Sequence, residues 1–216
     1  GVINPKRQKV TVEENKEATV DLVFRKADAT ISGSVKKDGS GVTAYITAYS
    51  PDGGFAEVNS SNEGRYDMSV SSGSKWNLNA VKQDGKKVYK TEKEVVADLT
   101  SATTAFHDLE LKEQSFTLPD KKTSTFPANQ ASTIELDDGT KITMPAGSIT
   151  DKNTNVAATV EPTATDLPEK TESKLATDYG YDLKFTDNND GSLIPEIKDN
   201  ITIEMKYTDA LLTSNN

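Results

Sequence analysis

Wherever apolar side chains gather in this chain, they recur at every second position. Ile31, Gly33 and Val35 alternate with serines; Val42, Ala44, Ile46 and Ala48 follow, then Tyr66, Met68 and Val70, and then Trp76, Leu78 and Ala80. Period two places alternate side chains on one face of an extended strand, whereas a helix requires spacings of three and four. The runs are punctuated by Asp38-Gly39, Pro51-Asp52-Gly53-Gly54, Asn62-Glu63-Gly64, Ser72-Gly73 and Asp84-Gly85. Glycine supplies positive φ in such turns, and Asp or Asn tolerates it. Short strands at this even spacing predict an all-β chain of tandem antiparallel β-sandwich modules.

With 216 residues, the chain has the length of about two domains at ~100 to 200 residues each. Only 34% of it is apolar, so each core must be thin and built from alternating rather than continuous runs. The order of the strands divides it further. Val10-Thr11-Val12 and Val20, Leu22, Phe24 come first, and Ala18 to Lys26 reads much like Thr104 to Lys112. Residues 1–26 are therefore expected to be terminal strands of a preceding or incomplete β-module, and the chain an excised fragment. Residues 27–112 form a first full module. Residues 113–128 read as a linker, since Pro119 and Pro127 are incompatible with a central strand. Residues 129–216 are expected to form a second β-sandwich, either truncated or continuing into another module, with strand faces at Ile134 and Leu136, Ile142 and Met144, Val156 to Val160, Tyr179 to Phe185, and Ile201 to Tyr207. A polar loop is expected from Asp166 to Ser173. One helical turn is expected at Asp209 to Leu212.

A formal net charge of −9 opposes binding of nucleic acid or anionic lipid through an electrostatic patch. There is no cysteine, which excludes disulfides, thiol catalysis and cysteine-based metal sites. No run approaches the ~20 apolar residues that a membrane-spanning helix needs, so no membrane insertion is expected within this fragment.

Ile31 to Val35, Val42 to Ala48 and Asn62-Glu63-Gly64-Arg65-Tyr66 together resemble the carboxypeptidase regulatory-like domain, a transthyretin-like sandwich akin to Cna B-type and starch-binding-like modules. The resemblance covers roughly residues 27 to 112. It implies that a small-residue strand crosses early and that Tyr66 packs inward after a Gly-Xaa-Tyr turn. Farther on, Ile134 to Ile149, with its Pro145-Ala146-Gly147, resembles the domain shared by zonula occludens and netrin-receptor proteins. Some relatives of that domain cut themselves at a His-Phe-Ser site, but here the single histidine, His107, is followed by Asp108. Both resemblances imply an extracellular structural or binding role, in a secreted or cell-surface bacterial protein.

Candidate chemistry is sparse. One histidine with no glycine elbow near any serine does not make a nucleophile site, so the chain is expected not to be an enzyme. If Val42, Ala44, Ile46 and Ala48 face inward, Tyr45 and Tyr49 face outward ~13 Å apart, a spacing at which exposed rings can stack on sugars. The alternative is that they pack against a neighbouring module or pair across the strand. Asp187, Asn189 and Asp190 offer oxygen ligands of the kind calcium prefers, though their spacing is not that of a helix-flanked calcium loop and also suits a hairpin turn. Trp76 alternates with Leu78 and Ala80 and belongs in the core. The expected function is a non-catalytic structural or assembly segment of stalk, fibre or surface-layer type. Its partners would be neighbouring β-modules of the same or a like chain. The alternative is a carbohydrate-binding accessory module whose partner is a polysaccharide.

Overall fold

A computed structural model of the chain describes residues 1–3, 5, 10–11, 17–150, 154–164 and 179–205. These form strands and turns without a helix, in two compact units, Gly1–Phe116 and Thr117–Asn216. The 166–173 loop, the turn at 209–212 and the strand residues Val12 and Tyr207 lie outside the described residues.

Unit 1 runs β1 (Val2–Ile3), β2 (Arg25–Lys26), β3 (Ala29–Lys37), β4 (Ser40–Gly41), β5 (Tyr45–Tyr49), β6 (Phe55–Asn59), β7 (Arg65–Val70), β8 (Lys75–Asp84), β9 (Lys87–Thr91), β10 (Val95–Asp98), β11 (Thr104–Phe106) and β12 (Leu109–Thr117). Ten of these join one curled sheet ordered β11-β3-β12-β9-β8-β5-β6, with β10 on β8 and both β4 and β7 on β3. The alternating apolar set closes the core: Ile31, Val35, Ile46, Ala48, Val70, Trp76 and Leu78 are all completely buried. Burial of one such aliphatic or aromatic side chain stabilises by about 1.5 to 3 kcal/mol, which is how a chain of modest apolar content holds a core.

Strand β3 belongs to both halves of this curl. Its first part pairs antiparallel with β7 and parallel with β11 (Thr30 with Thr104, Ser32 with Phe106). Its last part pairs antiparallel with β4 and parallel with β12 (Val35 with Leu109, Lys37 with Leu111). The switch at Gly33-Ser34 sits beside His107-Asp108. A Cβ built on Gly33 would stand 1.7 Å from the His107 carbonyl oxygen, so only glycine fits between the two backbones. Tyr66 closes this spot from the core side, buried, with its hydroxyl donating to the His107 carbonyl at 2.8 Å. Burial and the nearby Asp108 charge push the Tyr66 phenol well above its ordinary value, so it stays a donor.

The Ser34 amide, released from the ladder by the switch, is taken up by a side chain. Asp108 Oδ1 accepts from Ser34 N at 3.0 Å and from Ser34 Oγ at 2.6 Å, and Lys36 Nζ donates to Asp108 Oδ2 at 2.8 Å. Lys36 foremost, then Ser34, holds the Asp108 carboxyl below its usual range. A depressed carboxylate contributes stability above its unfolded pKa of ~3.9, and that contribution disappears as pH falls through the folded value. Asp108→Asn is expected to cost unit 1 about 1 kcal/mol at pH 7, modest because the carboxylate is half exposed, and to cost almost nothing at pH 2. Urea titrations at both pH values, followed by Trp76 emission, check this.

Unit 2 is a sandwich of two three-stranded sheets. One is β13 (Lys122–Pro127), β16 (Asn155–Ala164) and β17 (Tyr179–Asp187), in the order β13-β16-β17. The other is β14 (Ser132–Glu135), β15 (Lys141–Met144) and β18 (Thr202–Glu204). Phe126, Val156, Ala158 and Phe185 of the first meet Ile134, Ile142 and Met144 of the second in one core.

Three expectations need correcting. Much of the stretch 113–128 is strand rather than linker, because β12 continues to Thr117, Leu118 is buried and β13 begins at Lys122. Pro127 is accommodated because it ends an edge strand. The alternation at Val20, Leu22 and Phe24 does not produce a buried face: Leu22 and Phe24 are exposed, and the only pairing nearby among the described residues is Val2–Ile3 with Arg25–Lys26. Ile203 is likewise exposed on β18, which pairs only with β15 among the described residues.

Candidate functional site

Tyr45 and Tyr49 stand on β5 between β6 and β8, and the register fixes what shares their face. Tyr45 lies opposite Asn59 and Val81, Thr47 opposite Glu57 and Asn79, and Tyr49 opposite Phe55 and Asn77. Ile46 and Ala48 are completely buried on the other side. The two tyrosines thus share the outward face, as alternation predicts. They are not free-standing rings, however. The Tyr45 hydroxyl donates to Glu57 Oε2, one rung along on β6, so the ring leans over the sheet. Thr47, between the two tyrosines, is only 4% exposed, while Tyr45 itself remains 37% exposed and Tyr49 is half-buried. The face therefore combines two tyrosines, Phe55, a carboxylate and the amides of Asn59, Asn77 and Asn79 on three adjacent strands. That mixture supplies apolar surface with hydrogen-bonding groups at its edges.

Asp187, Asn189 and Asp190 form the turn after β17. Asp187 Oδ1 accepts from Asn189 N at 2.9 Å and from Thr154 Oγ1 at 2.8 Å, and Asp190 Oδ1 accepts from Ser192 N at 2.8 Å. Gly191 N closes the turn on the Asp187 carbonyl at 2.8 Å. Asp187 Oδ1 and Asp190 Oδ1 thus fix a hairpin, and Asn189 Nδ2 donates to Thr154 Oγ1 at 2.8 Å. Among the described residues no group of three or more His, Cys, Asp or Glu side chains is arranged to hold a metal ion. His107 presents its backbone, not its ring, to the β3 switch.

A second polar centre lies in unit 2. Asp138, in the Asp137-Asp138-Gly139 turn between β14 and β15, accepts from Thr140 N at 2.9 Å and Thr140 Oγ1 at 3.0 Å. Its Oδ2 also accepts from the Tyr179 hydroxyl at 2.8 Å and the Tyr181 hydroxyl at 2.5 Å, both from β17. The two rings meet edge to face at 5.8 Å. Partial burial raises the Asp138 carboxyl, but the donors from Tyr181, Thr140 and Tyr179 together outweigh it, so the net shift is downward. Burial first, then Asp138, pushes the Tyr181 phenol far up. A carboxylate held ionised beneath neutral phenols is a hydrogen-bonded rivet between the two sheets of unit 2. Sequence reading missed it because a D-D-G turn and a Y-G-Y strand, some forty residues apart, each look ordinary.

Residues 11–106 match a family model described as protein of unknown function (DUF1416), a stretch lying within unit 1. No curated protein and no solved structure matches the chain.

Proposed function

We propose that this chain is a non-catalytic structural segment of a secreted or cell-surface bacterial protein, made to carry tension between what lies on either side of it. The finer identities, a carboxypeptidase regulatory-like module followed by one like that of zonula occludens and netrin-receptor proteins, belong to the same proposal. One observation carries it. In unit 1 the strand that opens the sheet, β3, and the strand that leaves it, β12, are parallel neighbours. Pulling the chain from both ends drags two parallel strands past one another, so the rungs at Thr30, Ala105, Ser32, Val35, Lys36 and Leu111 are loaded together in shear. A hairpin pulled from its open end loses its rungs one at a time. The Tyr66–His107 and Ser34–Asp108–Lys36 bonds sit at the middle of the parallel pair and add to the clamp. Under force-extension, Asp108→Ala is expected to lower the unit 1 unfolding force measurably, whereas a Lys75→Ala change, which removes only the exposed Lys75–Asp98 pair, leaves it unchanged. Equal forces for wild type and Asp108→Ala would remove the clamp from the account.

The tyrosine face favours a second reading, a carbohydrate-binding accessory module. Co-sedimentation with insoluble polysaccharides should then show binding that a Tyr45→Ala, Tyr49→Ala double variant loses at least tenfold. Binding unchanged in the variant, or none to any polymer, discards this reading.

A further inference from the structure

A 480 Å³ cleft in unit 1 lies between β2, the turn after β5 and the turn joining β7 to β8. Arg25, Lys26, Asp28, Asp52 and Ser71 to Ser74 line it. Arg25 is fixed across it, Nη1 donating to Ser74 Oγ at 2.7 Å and Nη2 to the Asp52 carbonyl at 2.9 Å. A guanidinium has five N–H donors, so three remain to be used. Among the described residues no carboxylate lies within ion-pairing distance of Arg25 or Lys26, which is unexpected in a chain with 34 acidic residues against 25 basic ones.

The cleft wall also holds a group left wanting. Ser71 is 3% exposed, and its hydroxyl has no hydrogen-bond partner among the described residues. Its carbonyl accepts from Trp76 Nε1 at 3.0 Å, which anchors the backbone there. An unsatisfied buried hydroxyl is costly to the fold. Asp28 is already engaged by Ser72 N at 2.8 Å, but the Asp52 carboxylate accepts no hydrogen bond from the described residues.

We infer that this cleft binds a single uronate unit, a sugar ring bearing one carboxylate, of an otherwise neutral saccharide. Each part of the cleft has a counterpart on such a ligand. The Arg25 fork suits a carboxylate, with Lys26 adding a second positive charge. The Asp52 carboxylate complements ring hydroxyls as an acceptor. Two carboxylates in the cleft, and a net charge of −9 on the chain, disfavour a dianionic phosphate or a dense polyanion. The ring and its hydroxyls fit within the usual range of small-ligand clefts, ~300 to 1,000 Å³.

The inference does not depend on the tension-bearing reading or on the tyrosines, and its test separates them. The whole chain is titrated with a disaccharide of glucuronate and a neutral sugar, with its methyl ester, with inorganic phosphate and with glutamate, while the Gly73 and Ser74 amide resonances are followed. Saturable shifts are expected with the glucuronate disaccharide alone, at least tenfold weaker in Arg25→Gln and unchanged in the Tyr45→Ala, Tyr49→Ala variant. Trp76 emission reports whether Arg25→Gln is folded. Should it not be, Lys26→Gln, an exposed position, is expected to weaken binding several-fold and to reduce its dependence on salt. No shift with the glucuronate disaccharide, equal binding of the methyl ester, or equal binding of phosphate or glutamate overturns the assignment.

Discussion

Gly33→Ala is expected to unfold unit 1 or leave it barely stable. The added methyl would sit 1.7 Å from the oxygen and 2.6 Å from the carbon of the His107 carbonyl, and 3.1 Å from the Tyr66 ring. Two of these are backbone atoms that no rotamer change can move. To admit the methyl, β3 must part from the β11–β12 crossing, which breaks the Tyr66–His107 bond and strains the parallel rungs on either side. The expected loss exceeds ~4 kcal/mol, against a typical total of ~5 to 15 for a domain. Gly39→Ala is the contrasting variant: Gly39 has φ of 79° and no atom within 4 Å of the added carbon, so only the left-handed backbone penalty of about 1 to 2 kcal/mol applies. Trp76, the single tryptophan and completely buried, reports both in one denaturant titration. Near-equal midpoints for the two variants would contradict the close backbone approach.

Asp138→Ala is the second large effect, expected at about 2 to 3 kcal/mol and felt in unit 2. The change removes one acceptor from two phenols, an amide and a hydroxyl, and leaves partly buried donors without a partner. Asp138→Asn keeps the size and part of the accepting capacity, so it should lose less. The sign of the pH dependence follows from the downward shift of the carboxyl. The contribution is complete above the unfolded value of ~3.9 and fades as pH falls through the folded one, so wild type and Asp138→Ala should converge in acid. Amide exchange across β14 to β17 reads the difference, and a gap between them that persists at pH 2 would exclude the ionised rivet.

Both residues show where sequence reading stops. Alternation and turn glycines were enough to place Ile31, Val35, Ile46, Tyr66, Met68, Trp76 and Leu78 in one core and Ile134, Ile142, Met144 and Val156 in another, because a period-two face is decided locally. The same pattern made Leu22 and Phe24 look like core residues. Burial requires neighbouring strands on which to close, and the described neighbours pair only at Arg25–Lys26. Gly33 read as one more small residue in a strand, since its partner, the backbone at His107, lies more than seventy positions away. Asp138 read as a turn former, which it is, but its phenol donors come from a different sheet. Tyr45 and Tyr49 were legible as outward-facing; the lean of Tyr45 toward Glu57 was not, because it depends on which strand lies alongside and in what register. The proline-bounded stretch from 119 to 127 suggested a linker where the chain makes an edge strand, a sheet position that tolerates proline.

The tension-bearing reading is tested most directly by stretching single molecules of the chain from its two ends. Two separate unfolding events are expected, one for each unit, with added lengths of at most ~3.6 Å for every residue released. The event assigned to unit 1 by its loss in Gly33→Ala should need several-fold more force than unzipping of a simple hairpin, and less in Asp108→Ala. A unit 1 that gives way at hairpin-like force, or a single event releasing the whole chain at once, would contradict the account.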